Sequence, residues 1–149
     1  MKVSDHFSLE ELCESEIAMR KGIDNTLPDD MLQNIRLLAA GLERVRYVLK
    51  VPVYISSGYR CPELNKAVGG STSSDHMKAQ AADFTAPAHG TPAKIAQTLE
   101  DAREFIQFKQ LIQEGRWVHI SFDDTHPARM ETLTAHFDKG GVSYTRGLA

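Results

Sequence analysis

Met31, Ile35, Leu38, Leu42, Val45 and Leu49 recur at alternating spacings of four and three residues. That spacing returns to one side of a 3.6-residue helix, so it predicts a long amphipathic helix over residues 29–49 with one buried stripe. Asp29 and Asp30 supply negative charge where a helix N-terminus favours it, and Pro52 stops the run. The six apolar side chains read as core. With 149 residues the chain can hide roughly 70% of the surface its unfolded form exposes, and a single domain over 1–149 is expected.

Punctuation organises the remainder. Ser8 and Glu11 form a capping-box pattern with Phe7 placed to staple a short helix at 9–14, and Gly22 to Pro28 is turn-rich. Residues 53–57 are β-prone and end at Gly58, which predicts a strand. Residues 61–75 turn polar and glycine-bearing and read as one long loop, a feature more often functional than idle inside a compact domain. A second strand covers 81–86. Thr91-Pro92 then opens a helix over 92–103, lined by Ile95, Leu99, Ala102 and Ile106. Residues 109–114 and 117–122 read as two strands joined at Gly115-Arg116 in an antiparallel hairpin. From Met130 on, Gly140-Gly141 and a scarcity of apolar residues suggest irregular chain with at most one late strand. This order of elements predicts an α+β fold, a small antiparallel sheet flanked by helices.

Charge and composition narrow the function. Seventeen Lys and Arg against twenty Asp and Glu leave a net charge of -3 with no basic block, so nucleic acid is not an expected partner. No apolar run reaches the roughly 18 to 20 residues of a membrane span, and MKVSDHFSLEELCESE lacks a signal peptide's apolar segment, so synthesis in the cytoplasm is expected. Cys13 and Cys61 are far apart, and both read as small packing side chains rather than a disulfide or thiolate zinc site. No heptad or broad apolar surface stripe asks for more than a monomer.

Among the six histidines, position singles out two. His76 closes the polar loop, Asp83 follows seven residues on within a strand, and His119 sits mid-strand. Alternation there puts Trp117, His119 and Ser121 on one face and sends Val118, Ile120 and Phe122 to the core. Two imidazoles and one carboxylate suffice for catalytic zinc, because three protein ligands leave the fourth tetrahedral position open. Hydrolysis would then need an acid/base carboxylate, and Glu114, at the end of the preceding strand, is the best candidate. Arg60 could hold a carboxylate or a developing oxyanion in its fork of donors.

SSGYRCPELN at 56–65, STSSDHMKAQAADF at 71–84 and WVHISF at 117–122 resemble, in order and spacing, the zinc D-Ala-D-Ala carboxypeptidase and endolysin peptidase family. The resemblance extends from the Phe7 to Leu12 start to the terminal Gly147-Leu148. Its sharpest part is Ser-x-His-x-x-Gly-x-Ala-x-Asp, met by Ser74, His76, Ala81 and Asp83, with Ala79 where glycine is usual. The resemblance implies a Hedgehog/DD-peptidase-like fold and zinc bound by His76, Asp83 and His119, with Arg60 contacting substrate and Ser74 near the peptide. Many members place the acid/base carboxylate three residues before the last ligand. Arg116 stands there in this chain, and related members with a glutamate ahead of a Gly-x-Trp turn favour Glu114, with Asp123 and Asp124 next in line. The implied substrate is the stem peptide of peptidoglycan, cut by a carboxypeptidase or endopeptidase of phage or prophage lysis that another protein lets across the inner membrane, or equally by a virion-associated wall peptidase, working in the periplasm or wall. A non-catalytic zinc recognition module and an intracellular D-Ala-D-Ala dipeptidase are the rival expectations.

Overall fold

Two serines start the chain's first helices in the computed structural model, which describes residues 1–148. Ser8 Oγ accepts from the Glu11 amide at 3.0 Å and completes the capping box of α1 (Leu9–Cys13), while Phe7 is buried. Ser15 caps α2 (Glu16–Lys21), a helix that no apolar periodicity announced, and Gly22 ends it at φ 65°. The predicted long helix begins as a 3₁₀ turn at Asp29–Met31 and continues as α3 (Leu32–Leu49). Ile35, Leu38, Leu42, Val45 and Leu49 are all buried, and Met31 lies at the margin of the core.

Six strands form one sheet in the order β1-β2-β4-β3-β5-β6, comprising β1 (Tyr54–Ser57), β2 (Ala81–Thr85), β3 (Gln110–Gln113), β4 (Val118–Ser121), β5 (Glu131–Asp138) and β6 (Gly141–Arg146). The α+β class is as expected, and β3–β4 is the expected antiparallel hairpin. The sheet is not wholly antiparallel, because β5 returns beside β3 in parallel. Helices α4 (Pro62–Ala67), α5 (Pro92–Asp101) and α6 (Arg103–Ile106) complete the fold.

Two stretches differ from expectation. Residues 61–75 are not a single loop: Cys61 caps α4, its sulfur accepting from the Leu64 amide at 3.4 Å, and Pro62 occupies the first helical position. A helix this short needs one or two anchors, here Leu64 and Asn65, so its polarity conceals it. The C-terminal segment is a regular hairpin of β5 and β6. Its Leu133, Ala135 and Phe137 alternate with Thr132, Thr134 and His136, a period of two that the surrounding polarity hides.

The sheet has one dry face and one working face. Ala82, Phe84, Leu111, Val118 and Ile120 join Leu38, Leu42, Ile95 and Leu99 in the core. Pairing register then fixes what lies on the other side. Ser57, Asp83, His119, Ile112, Leu133 and Arg146 follow one another across the six strands, and opposed residues share a face. Both cysteines are free and half-buried, and burial pushes the Cys13 thiol up to about 11, which suits a packing side chain.

Candidate metal centre

Asp83 and His119 stand opposite each other in neighbouring strands, so the sheet itself brings them together. His119 Nδ1 lies 2.9 Å from Asp83 Oδ1. His76 comes from outside the sheet, on a 3₁₀ turn at Asp75–Lys78, and its Nε2 lies 3.3 Å from the same carboxylate oxygen. The two imidazole rings meet edge to face with centroids 5.1 Å apart. One ligand atom from each of the three residues falls within 4.8 Å of the others. A tetrahedral ion with bonds of about 2.0 to 2.2 Å spaces its ligands by about 3.3 Å, so this cluster is the right size for one ion.

The surroundings orient each donor. The His76 Nδ1–H donates to the Gly58 carbonyl at 2.7 Å, which turns Nε2 inward toward Asp83. Ser74 Oγ accepts from the His76 amide at 3.1 Å, and the Arg60 amide donates to the His76 carbonyl at 3.0 Å. Ala79, buried and at φ 57°, ends the turn in the left-handed region, which is why a glycine is usual there. Burial alone would raise the Asp83 carboxyl, but hydrogen bonds and charge from His119 and His76 hold it well below the ordinary carboxylate range. The donor set, two imidazole nitrogens and a carboxylate oxygen, suits zinc and leaves one tetrahedral position unfilled by the group.

A cleft of about 580 Å³ opens over this cluster and also receives Arg60, Ser74 and Glu114. Glu114 continues the alternation of β3 beyond Ile112, so its side chain falls on the His119 face, and its amide donates to the Trp117 carbonyl at 3.0 Å. Burial raises its carboxyl above the usual value, with Asp83 pushing the same way and His119 and Arg60 opposing. Arg60 Nε and Trp117 Nε1 are buried donors with no partner among the described residues. Asp123 and Asp124 are not among the described residues lining the cleft, and Asp123 accepts instead from the Thr125 amide at 3.1 Å. His6, His89 and His136 bond to Glu43, Thr98 and Thr145.

Sequence reasoning missed three supports. Asn25 donates to the carbonyls of Cys13 (2.8 Å) and Tyr59 (3.0 Å) and accepts from the Cys61 amide (2.8 Å), so it grips the chain on both sides of Arg60. Asp75 pairs with Lys109 at 2.9 Å, tying the His76 turn to the approach to β3. Gly58 carries the carbonyl that orients His76. Of these only Gly58 had a visible signal, its place in SSGYR.

A family model for peptidase M15 matches residues 5–121, which takes in every candidate ligand, Arg60 and Glu114. The chain belongs to the peptidase M15 family. It is therefore of a metallopeptidase kind, and its α+β fold is consistent with an M15 peptidase. No curated protein matches this M15 peptidase closely enough to count as a relative. The matched segment ends at Ser121, so β5 and β6 lie beyond it.

Proposed function

We propose that this M15 peptidase is a zinc enzyme that hydrolyses amide bonds in the stem peptides of bacterial peptidoglycan. The observation that carries this reading is the convergence of His76, Asp83 and His119 on the floor of a cleft that also holds Glu114. The substrate class rests on the resemblance of residues 56–65, 71–84 and 117–122 to wall peptidases, and an open polar cleft suits an extended peptide.

His76 Nε2, an Asp83 oxygen and His119 Nδ1 would hold the ion. Zinc bound there supplies Lewis acidity, which polarises a carbonyl and makes water nucleophilic near neutral pH. Glu114 takes a proton from the attacking water and delivers it to the leaving amine nitrogen, so a carbon–oxygen bond forms as the carbon–nitrogen bond breaks. Its raised carboxyl suits that exchange. Arg60, whose Nε lacks a protein partner among the described residues, holds a substrate carboxylate or the developing oxyanion. Ser74 uses its oxygen to accept from His76 and keeps its hydroxyl proton for the peptide. The enzyme serves phage or prophage lysis, as a monomer, in the periplasm or cell wall where its polymer lies.

Mass spectrometry of purified sacculi digested with zinc-loaded protein, with and without a chelator, tests this. New peptide termini that disappear on chelation are expected. Zinc-loaded protein that cleaves no stem peptide would point to a recognition module, and cleavage of free D-Ala-D-Ala alone would point to a dipeptidase.

A further inference from the structure

Tyr144 lies on β6, outside the segment that matches the M15 family, yet it lines the same cleft as Glu114. The pairing explains how it gets there. Gln113 stands opposite Thr134 between β3 and β5, so the next position brings Glu114 alongside Ala135, and Ala135 stands opposite Tyr144 between β5 and β6. Glu114, Ala135 and Tyr144 therefore form a row across the working face, next to the row that contains His119, Ile112 and Leu133. Two strand spacings, about 9.6 Å, separate the backbones of Glu114 and Tyr144. Ala135 between them contributes only a methyl group and is itself buried, while Glu114 and Tyr144 both line the cleft.

The hairpin is held in that position. The Phe137 ring sits 3.1 Å from where a Cβ on Gly115 would be, so β5 rests against the turn that follows Glu114. Tyr144 is half exposed, and its hydroxyl has no hydrogen-bond partner among the described residues. Burial and the charges of Glu114 and Asp83 raise its phenol, which stays protonated and able to donate at neutral pH.

We propose that Tyr144 is a substrate-binding residue of the cleft, its hydroxyl donating a hydrogen bond to a carbonyl oxygen of the bound peptide on the Glu114 side. The terminal hairpin is then the wall of the site there. This inference rests on the peptidase reading above.

The test is steady-state kinetics of the zinc-loaded protein on a synthetic stem peptide, comparing wild type, Tyr144→Phe and Tyr144→Ala, with zinc content and melting temperature measured in parallel. Loss of one uncharged hydrogen bond made on binding raises KM roughly three- to tenfold in Tyr144→Phe. Its kcat, zinc content and melting temperature stay at wild-type values, and Tyr144→Ala raises KM further because the ring is lost too. A wild type that cleaves the peptide while Tyr144→Phe shows the same KM overturns the role of the tyrosine and leaves the peptidase intact. A wild type that cleaves no stem peptide overturns the peptidase reading and this inference with it.

Discussion

Gly58→Ala tests whether the packing of α1 against the end of β1 sets the metal site. A Cβ at position 58 would lie 2.1 Å from the Leu12 carbonyl oxygen and 2.9 Å from its carbon, both backbone atoms that no rotamer change can move. Restoring a carbon–oxygen contact of about 3.3 Å requires a backbone shift of about 1 Å. Two hydrogen bonds stand in the way: Tyr59 N–H to the Leu12 carbonyl at 2.7 Å, and His76 Nδ1–H to the Gly58 carbonyl at 2.7 Å. Moving the Gly58 carbonyl by that distance stretches the second bond beyond useful length and frees the imidazole to turn. Overpacking of this kind costs about 1 to 3 kcal/mol, or roughly 2 to 10 °C of melting temperature for a chain of this size. Loss of the orienting bond costs about 10- to 100-fold in zinc affinity. Competition titration against a chromogenic chelator reads the affinity, and calorimetry reads the melting temperature. A Gly58→Ala protein that melts with wild type and binds zinc within threefold of it would refute the reasoning.

Glu114→Gln separates stability from catalysis. Burial raises the Glu114 carboxyl in the folded chain above its ordinary value of 4.5, so the ionised group opposes folding at neutral pH, and that cost fades as pH falls through the raised folded value and is gone below the unfolded one. Metal-free Glu114→Gln should melt above metal-free wild type at pH 7 and lose the advantage near pH 4, while the zinc-loaded variant should hydrolyse peptide about 10²- to 10⁴-fold more slowly than zinc-loaded wild type. Equal melting curves across that range would contradict the assigned burial. For Ala79, relief of left-handed strain of about 1 to 2 kcal/mol opposes the greater freedom that glycine gives the unfolded chain, so Ala79→Gly should change stability by no more than about 1 kcal/mol in denaturant titration. Ala79→Val, with a branched side chain at the same buried φ 57°, should be clearly destabilised, and a neutral result there would count against the strain.

The features legible in the sequence are those whose cause is local. Ser8 with Glu11, and Thr91 with Pro92, announce their helices because caps act within one turn. The stripe of α3 is legible because burial on one helix face repeats at the helical period. His119 is placed on the working face by the alternation of its own strand. By contrast α4 and the β5–β6 hairpin were missed. Their few apolar residues become meaningful only when Leu64 finds the core and when β5 adds to the edge of β3.

Residue types and spacings were enough to single out His76, Asp83, His119, Glu114 and Arg60, since the chemistry of each donor belongs to its own side chain. Their meeting was decided by the tertiary structure. Register set Asp83 opposite His119, the Gly58 carbonyl turned His76 inward, and a hairpin beyond the matched segment brought Tyr144 alongside Glu114. The reason is physical: a strand or helix fixes the direction of its own side chains, but contacts between residues 36 apart, as Asp83 and His119 are, exist only once the sheet has closed around them.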